Sequence, residues 1–534
     1  MSGPAPASTA PPALAIRARN RPWLSRRMSL STRRASIVSA ATLGSRVLGF
    51  ARDAGTAAVL GAGPLADALM AALALPLLAR RLLADGAFNA ALIPALVRAQ
   101  ARDGREGARR LALAVLLALF ALLLAFAVAG AVFMPALIRA LAPGFEVGGE
   151  RADLAIACGR IALLYLPLAA AAAVYGGLAN GGGRVALPAL APMLANVVAL
   201  SAIVYVALEG LIGTAAAARA MAAATVAAGV AQLALMMLAT RGLPSRPAVV
   251  RPDWRGAGRV LRASTPALLF AGLPLLRLFI VAAVVSATPG AVSALNYAQR
   301  LMDLPLGLVG ASAGAVLVPL LAMGGKSAGR EASGAVLAAL GLALPAGLGL
   351  CLLAPPIVGV LYQRGGFTAE DAEATAQFLA ILALALPAQG VERVLAATAL
   401  THGVIGPAER IGAGSLLACL LLALGANAFA GPVAAAGAIA LCATASAVLL
   451  GGLLARRGLL AVDRTLLRQG LAILCAGALM GAAVDGAARF WTPPAPQSLE
   501  GLLRLAALVG LGMIIYGVTL LALRPRRARS QQET

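Results

Sequence analysis

Apolar runs of about twenty residues recur from Ser36 to Leu523, separated by short polar joins. A helix needs about 20 apolar residues to cross a bilayer's hydrocarbon, so each run predicts a transmembrane helix. The predicted spans are 36–60, 65–96, 109–137, 153–178, 186–208, 214–239, 259–286, 290–322, 332–361, 371–400, 409–429, 433–455, 466–485 and 500–523, fourteen in all. An even count puts both termini on one side. The joins agree with this. Those at 97–108, 240–258, 323–331 and 456–465 each follow an even-numbered span and carry Arg98, Arg102, Arg241, Arg251, Lys326 and Arg456 among their cations. The tail adds Arg524, Arg526, Arg527 and Arg529. Loops on the other face are short, uncharged, or balanced by acids such as Glu146, Glu150, Glu370 and Asp371. By the positive-inside rule the basic joins and both termini are expected in the cytoplasm.

The second and eighth spans share a pattern. Pro76 and Pro94 punctuate one, Pro305 and Pro319 the other, each with charges around the first proline. They lie six helices apart, which predicts two lobes in the same orientation. The expected organisation is an all-α polytopic membrane protein of about fourteen helices: two six-helix lobes around a central cavity, plus a C-terminal helix pair. Its divisions are a basic, proline-rich tail without stable structure (1–35), a first lobe (36–240), a second lobe (241–456), a terminal pair (457–523) and a basic tail (524–534). The first 35 residues carry seven arginines and no acid, a composition that a transit peptide would share. Either Met1 or Met28 can serve as the start.

Composition changes this picture little. The chain of 534 residues is 61% hydrophobic and 12% charged, with a mean hydropathy of +0.89. That excludes a soluble globular domain and a disordered chain. A net charge of +23 would suit nucleic acid, but the arginines sit between apolar runs and aromatics are few, so no nucleic-acid partner is expected. The five cysteines all fall in apolar runs without a CxxC and read as small buried residues. His402 stands alone in a predicted loop. No metalloprotease, nucleophile-elbow or phosphate-loop motif is present, so covalent catalysis, metal and cofactor are not expected.

The informative residues are charges inside apolar segments. Each costs about 2.5–3.5 kcal/mol at a helix centre, so they should face protein, water or each other. The first two spans carry Arg46, Arg52, Asp53, Asp67, Arg80, Arg81 and Asp85; the seventh carries Arg277 and the eighth Arg300 and Asp303. Asp53 partly neutralises Arg52. Arg80 and Arg81 follow the helix-bending Pro76. Asp85, four residues after Arg81, and Asp303, three after Arg300, are placed to pair within their helices. Arg80 is then the freer cation. Arg277 has no acid nearby in sequence, and either lines the cavity or snorkels. Arginine excess points to an anionic substrate, because the guanidinium fork matches phosphate oxygens and keeps its charge.

Several stretches resemble the MurJ/MviN lipid II flippases of the multidrug/oligosaccharidyl-lipid/polysaccharide exporter superfamily. They are SRVLGFARD (Ser45–Asp53), the Leu75–Pro94 segment with RR and DGAFNAALIP, APGF (Ala142–Phe145), RVALPALAPMLAN (Arg184–Asn196), YAQRLMDLPLGLVG (Tyr297–Gly310) and GGFTAEDA (Gly365–Ala372). The resemblance implies transport, without covalent chemistry, of an undecaprenyl-diphosphate-linked peptidoglycan precursor across the bacterial inner membrane. It implies Arg46, Arg52, Arg80 and Arg300 as substrate contacts, and a lipid-tail groove in the terminal pair. Asp53, Asp67, Arg81, Asp85, Arg277 and Asp303 are supporting candidates. The partners implied are the lipid-linked precursor, the bilayer and other cell-wall synthesis proteins; coupling would come from the membrane potential or a monovalent cation. The chain departs from the family where KLPN is replaced by Ala74–Leu77 and where Gln299 stands before Arg300 in place of an acid. Two other readings stand beside this one. A drug/cation antiporter of the same superfamily would need an essential buried acid, Asp67 or Asp303. A non-transporting scaffold would use the basic loops.

Overall fold

The structure, a computed structural model, describes residues 22–83, 87–241, 251–321, 328–490 and 498–523. Among them the chain forms helices α1 (Pro22–Leu60), α2 (Pro64–Leu83), α3 (Ala87–Val132), α4 (Met134–Leu141), α5 (Glu150–Ala162), α6 (Tyr165–Gly181), α7 (Ala186–Leu208) and α8 (Ala215–Thr240). They continue as α9 (Trp254–Val285), α10 (Ala291–Leu321), α11 (Ala328–Leu352), α12 (Ala354–Tyr362), α13 (Ala369–Ala383), α14 (Leu386–Thr401), α15 (Ile405–Arg456), α16 (Arg464–Phe490) and α17 (Leu499–Leu523). Helices are the expected answer to lipid, where every backbone N–H and C=O must be satisfied within its own segment.

All fourteen predicted spans have helical counterparts, but several are broken. The fourth is α5 plus α6, the ninth α11 plus α12, and the tenth α13 plus α14, which meet at a 45° bend. The eleventh and twelfth run together as the 52 residues of α15. Unbroken, that helix would be about 78 Å long, more than twice the hydrocarbon thickness. It breaks at Gly431, where φ is +83° and Pro432 follows. The chain folds back there, so that Ala408 shares a buried cluster with Leu450 and Leu454. Likewise α3 breaks at Asp103 and Gly104, between the second and third predicted spans. Helix α1 begins at Pro22, ahead of the expected start at residue 36.

The architecture is two helical lobes with a cavity between them and a terminal pair. In the first lobe α1 packs on α7, α3 on α6, and α8 on α6 and α7; in the second, α14 packs on α11 and α15. The pair α16–α17 packs on α11, where the Tyr516 hydroxyl donates to the Gly341 carbonyl at 2.7 Å. The main core is rich in alanine, with Ala57, Ala66, Ala68, Ala294 and Ala298 all buried. Small residues let helices approach closely when lipid offers no hydrophobic drive for association. Large apolar side chains such as Leu122, Val204, Leu421, Leu467 and Leu521 point outward, as a lipid-facing surface requires.

Candidate functional site

One stripe of α10 organises the junction between the lobes. Ser293, Tyr297, Arg300, Leu304 and Gly307 are spaced four, three, four and three residues apart, which places them on one helix face. Each meets the first lobe. The Ser293 amide and hydroxyl both donate to Asp67 Oδ1 at 2.8 Å. The Tyr297 hydroxyl donates to the Gly61 carbonyl at 3.1 Å. Arg300 Nε lies 4.0 Å from Asp53 Oδ2. Arg46 Nη1 donates to the Leu304 carbonyl at 3.3 Å. A Cβ at Gly307 would sit 2.6 Å from Arg46 Nη2, so a side chain there would displace that guanidinium.

The end of the bundle at the α1–α2 turn is closed by backbone-level contacts. Gly366 N–H donates to the Ala58 carbonyl at 2.7 Å. Asp371 caps α13, completing a capping box with Thr368, and its Oδ2 also accepts from the Ala62 amide at 3.1 Å. Asp67 is fully buried and further accepts from Gly290 N–H at 2.7 Å, with Arg151 at 3.5 Å. Beneath this end lie the rings of Phe50, Tyr297, Tyr362 and Phe367, with centroids 5.5–6.2 Å apart along the group. Of these rings Tyr297 also lines a cavity.

That cavity is lined as well by Arg52, Asp53, Arg80 and Arg300 together with Leu69, Met70, Leu73 and Met221. A second, smaller cavity shares Arg80 and Arg300 and adds Arg81, Asp303, Asn296 and Gln299. Arg52 is anchored: Nε and Nη2 donate to Asp53 Oδ1 at 3.0 and 2.7 Å, and Nη1 donates to Asn196 Oδ1 at 3.0 Å. Asn196, on α7, donates back to the Ser45 carbonyl at 2.8 Å. Gly49 leaves room for it, since a Cβ there would stand 3.2 Å from the amide nitrogen. Arg80 has no hydrogen-bond or ion-pair partner among the described residues. The walls of the larger cavity therefore carry three guanidinium groups and, among the described residues, one carboxylate.

Of the expected substrate contacts, the fold brings Arg52, Arg80 and Arg300 to one cavity, with Asp53 between Arg52 and Arg300. Arg46 stands beside the lobe junction and is not part of either cavity wall. The supporting residues fall differently from their sequence neighbourhoods. Asp303 accepts from Gln299 Nε2 at 3.0 Å and lies 3.8 Å from Arg81, while the ion pair of Arg300 runs to Asp53. The expected Arg300–Asp303 pair is thus replaced by pairs that cross between lobes. Asp85, the expected partner of Arg81, lies outside the described residues. Asp67 faces the closed end of the bundle, away from the cavity.

Arg277 neither lines the cavity nor snorkels. It is fully buried, and Nη1 and Nη2 donate to the two carboxylate oxygens of Glu392 at 2.7 Å each, with Nη2 also reaching Ser415 Oγ at 2.8 Å. Its acid comes from α14, 115 positions away. A charge buried in lipid-spanning helices needs such a partner. Glu392 was legible as the one carboxylate deep inside the tenth predicted span, whose other two, Asp371 and Glu373, stand at its start. Asn196 was legible only as the end of a motif. Nothing local in the sequence marked Ser293 or Arg151.

Fold and site together define a multi-pass membrane transporter with a cationic cavity between two lobes. Solved structures show the same fold. One described as "Lipid II flippase MurJ, inward closed conformation" superposes with a TM-score of 0.70 at 19% identity, covering 90% of this chain and 97% of that one. An inward-facing multidrug resistance MATE family transporter superposes with a TM-score of 0.63 at 19% identity, over 78% and 94%. A family model described as "Lipid II flippase MurJ" matches residues 56–494. A probable lipid II flippase MurJ of Rhizobium tropici is 34% identical over 85% of this chain and 87% of its own length. Its counterpart in Rhizobium meliloti (strain 1021) is 33% identical over 90% and 91%. The chain belongs to the MurJ lipid II flippase family, and is a multi-pass protein of the bacterial inner membrane.

Proposed function

We propose that this protein carries lipid II, as an undecaprenyl-diphosphate-linked precursor, from the inner to the outer leaflet for cell-wall synthesis. The observation that carries the reading is the convergence of Arg52 and Arg80 from the first lobe and Arg300 from the second on one cavity holding a single described carboxylate. A diphosphate offers the oxygens these forks match. Asp53 lies 2.7 Å from Arg52 and 4.0 Å from Arg300. An entering diphosphate takes over Arg300 and engages Arg80, leaving Asp53 with Arg52.

The basic joins put both termini in the cytoplasm, so the α1–α2 turn lies at the outer end and the closed junction there faces the periplasm. The lobes, residues 36–240 and 241–456, rock about the α10 stripe to open that end. The pair at 457–523 offers the groove for the lipid tail. The lining charges of the larger cavity sum to three arginines less one aspartate, or +2. The empty cavity's return is then favoured by an inside-negative potential, by about 2.3 kcal/mol per charge per 100 mV. Flipping in vesicles at the same rate with and without a potential would remove that step.

The antiporter reading requires a carboxylate free to exchange its proton or cation. Asp67 is enclosed by Ser293, Gly290 and Arg151, which favours a latch instead. The deciding experiment is complementation of a strain depleted of its own lipid II flippase. Wild type should restore growth and Arg80→Ala should not, at equal membrane levels. Failure of well-expressed wild type overturns the substrate assignment; rescue by Arg80→Ala favours a scaffold.

A further inference from the structure

The larger cavity has a second, uncharged wall. Thr56 on α1, Tyr165 on α6, and Thr225 and Gln232 on α8 line the same space as the arginines. Thr225 and Gln232 are seven residues apart, two helical turns, so they share a face. Thr56, Tyr165 and Gln232 are buried from the outer surface of the protein.

Most protons of this wall point back into the protein. The Thr56 hydroxyl donates to the Arg52 carbonyl at 2.9 Å, and the Thr225 hydroxyl to the Met221 carbonyl at 3.2 Å. The Tyr165 hydroxyl donates to Gln232 Oε1 at 3.4 Å, while Gln232 Nε2 donates to the Ala191 carbonyl at 3.2 Å. All three hydroxyl protons are spent on the protein. A hydroxyl keeps two acceptor lone pairs after donating, and an amide oxygen has two. What the hydroxyls present to the cavity is acceptor capacity; Gln232 adds the spare lone pair of Oε1 and the second N–H of its amide. Polar atoms facing an enclosed space cost free energy unless a ligand or water meets them.

We propose that Thr56, Tyr165, Thr225 and Gln232 form a neutral, chiefly accepting subsite that receives hydroxyl and amide N–H donors of the headgroup while the arginines hold its diphosphate. The proposal rests on the flippase reading and deepens it. The arginines recognise the part common to every diphosphate-linked lipid. The acceptor wall discriminates by what the diphosphate carries, because a donor-rich glycosyl-peptide headgroup satisfies it and a bare diphosphate leaves it unmatched.

The test uses the purified full chain in lipid nanodiscs and two probes. One is the complete lipid-linked precursor. The other is undecaprenyl diphosphate, which shares carrier and charge and lacks sugar and peptide. Tyr165→Phe and Thr225→Val keep side-chain volume and remove one hydroxyl each. Each should weaken binding of the complete precursor by about three- to tenfold, the worth of one neutral hydrogen bond, and leave undecaprenyl diphosphate unchanged. The double variant should bind the two lipids nearly equally. Equal losses on both lipids, or no loss on the precursor, overturn the subsite. Thermal unfolding of each variant separates misfolding from lost recognition. Wild type that binds neither lipid, or Arg80→Ala that binds both normally, overturns the flippase reading itself and the subsite with it.

Discussion

The cavity arginines and Arg277 are the same residue type in the same membrane, with opposite surroundings. Arg277 is sealed inside the second lobe, with both terminal nitrogens on Glu392 and a third bond to Ser415. Arg80 lines two cavities and has no hydrogen-bond or ion-pair partner among the described residues. One charge is satisfied by the protein; the other is left for something that arrives. Charge in a membrane helix therefore reports function only where the protein has withheld the counter-charge. Asp67 and Asp53 make the same contrast among acids. Asp67 is saturated by Ser293, Gly290 and Arg151, whereas Asp53 stands between Arg52 at 2.7 Å and Arg300 at 4.0 Å.

The sharpest way to break this comparison is to remove the counter-charge from Arg277. Glu392→Ala leaves a buried cation unpaired and should lower stability by about 3–5 kcal/mol, seen as a large fall in unfolding temperature or a loss of folded protein in detergent. An Arg277→Met/Glu392→Leu double variant should recover most of it. An unstable double variant with a stable Glu392→Ala would invert the assignment. At the cavity the opposite pattern is expected: Arg80→Ala should keep the unfolding temperature within about 1 °C, since no described partner is lost, while flipping falls by at least about tenfold, the worth of a charge-assisted bond. A stability loss comparable to that of Glu392→Ala would make Arg80 structural.

Next comes the closed end. Asp67→Asn keeps shape but cannot serve Ser293, Gly290 and Arg151 equally, and should weaken the junction by about 1–3 kcal/mol. A cysteine placed at Ala62 should then react faster with a membrane-impermeant thiol reagent; unchanged labelling would mean that the other contacts suffice. The smallest effect is expected at Asn196→Ala. Arg52 keeps Asp53 but loses one positioning bond, so flipping should fall by about three- to tenfold with little change in stability. A null result would leave Asp53 as the sole positioner of Arg52.

Much of the site was readable from residue types. Arg52, Arg80 and Arg300 stood out as charges in apolar spans. Pairing was not readable, because helices bring together residues far apart in sequence. Arg300 has an acid three positions away and reaches instead for Asp53 in the other lobe. Arg277 looked unpartnered because Glu392 is 115 positions distant. Local spacing offers partners; packing chooses among them by which helix faces meet.

The sequence by itself determined that this is a many-helix membrane protein, because lipid forces helices of a set length and basic loops mark one side. It also determined which residues were expensive to place in a membrane. Only the tertiary structure decided which of those charges are neutralised. Pairing depends on the approach of α10 to α1 and α2, and of α9 to α14 and α15, and a distance between helices is not written in the spacing along any one of them.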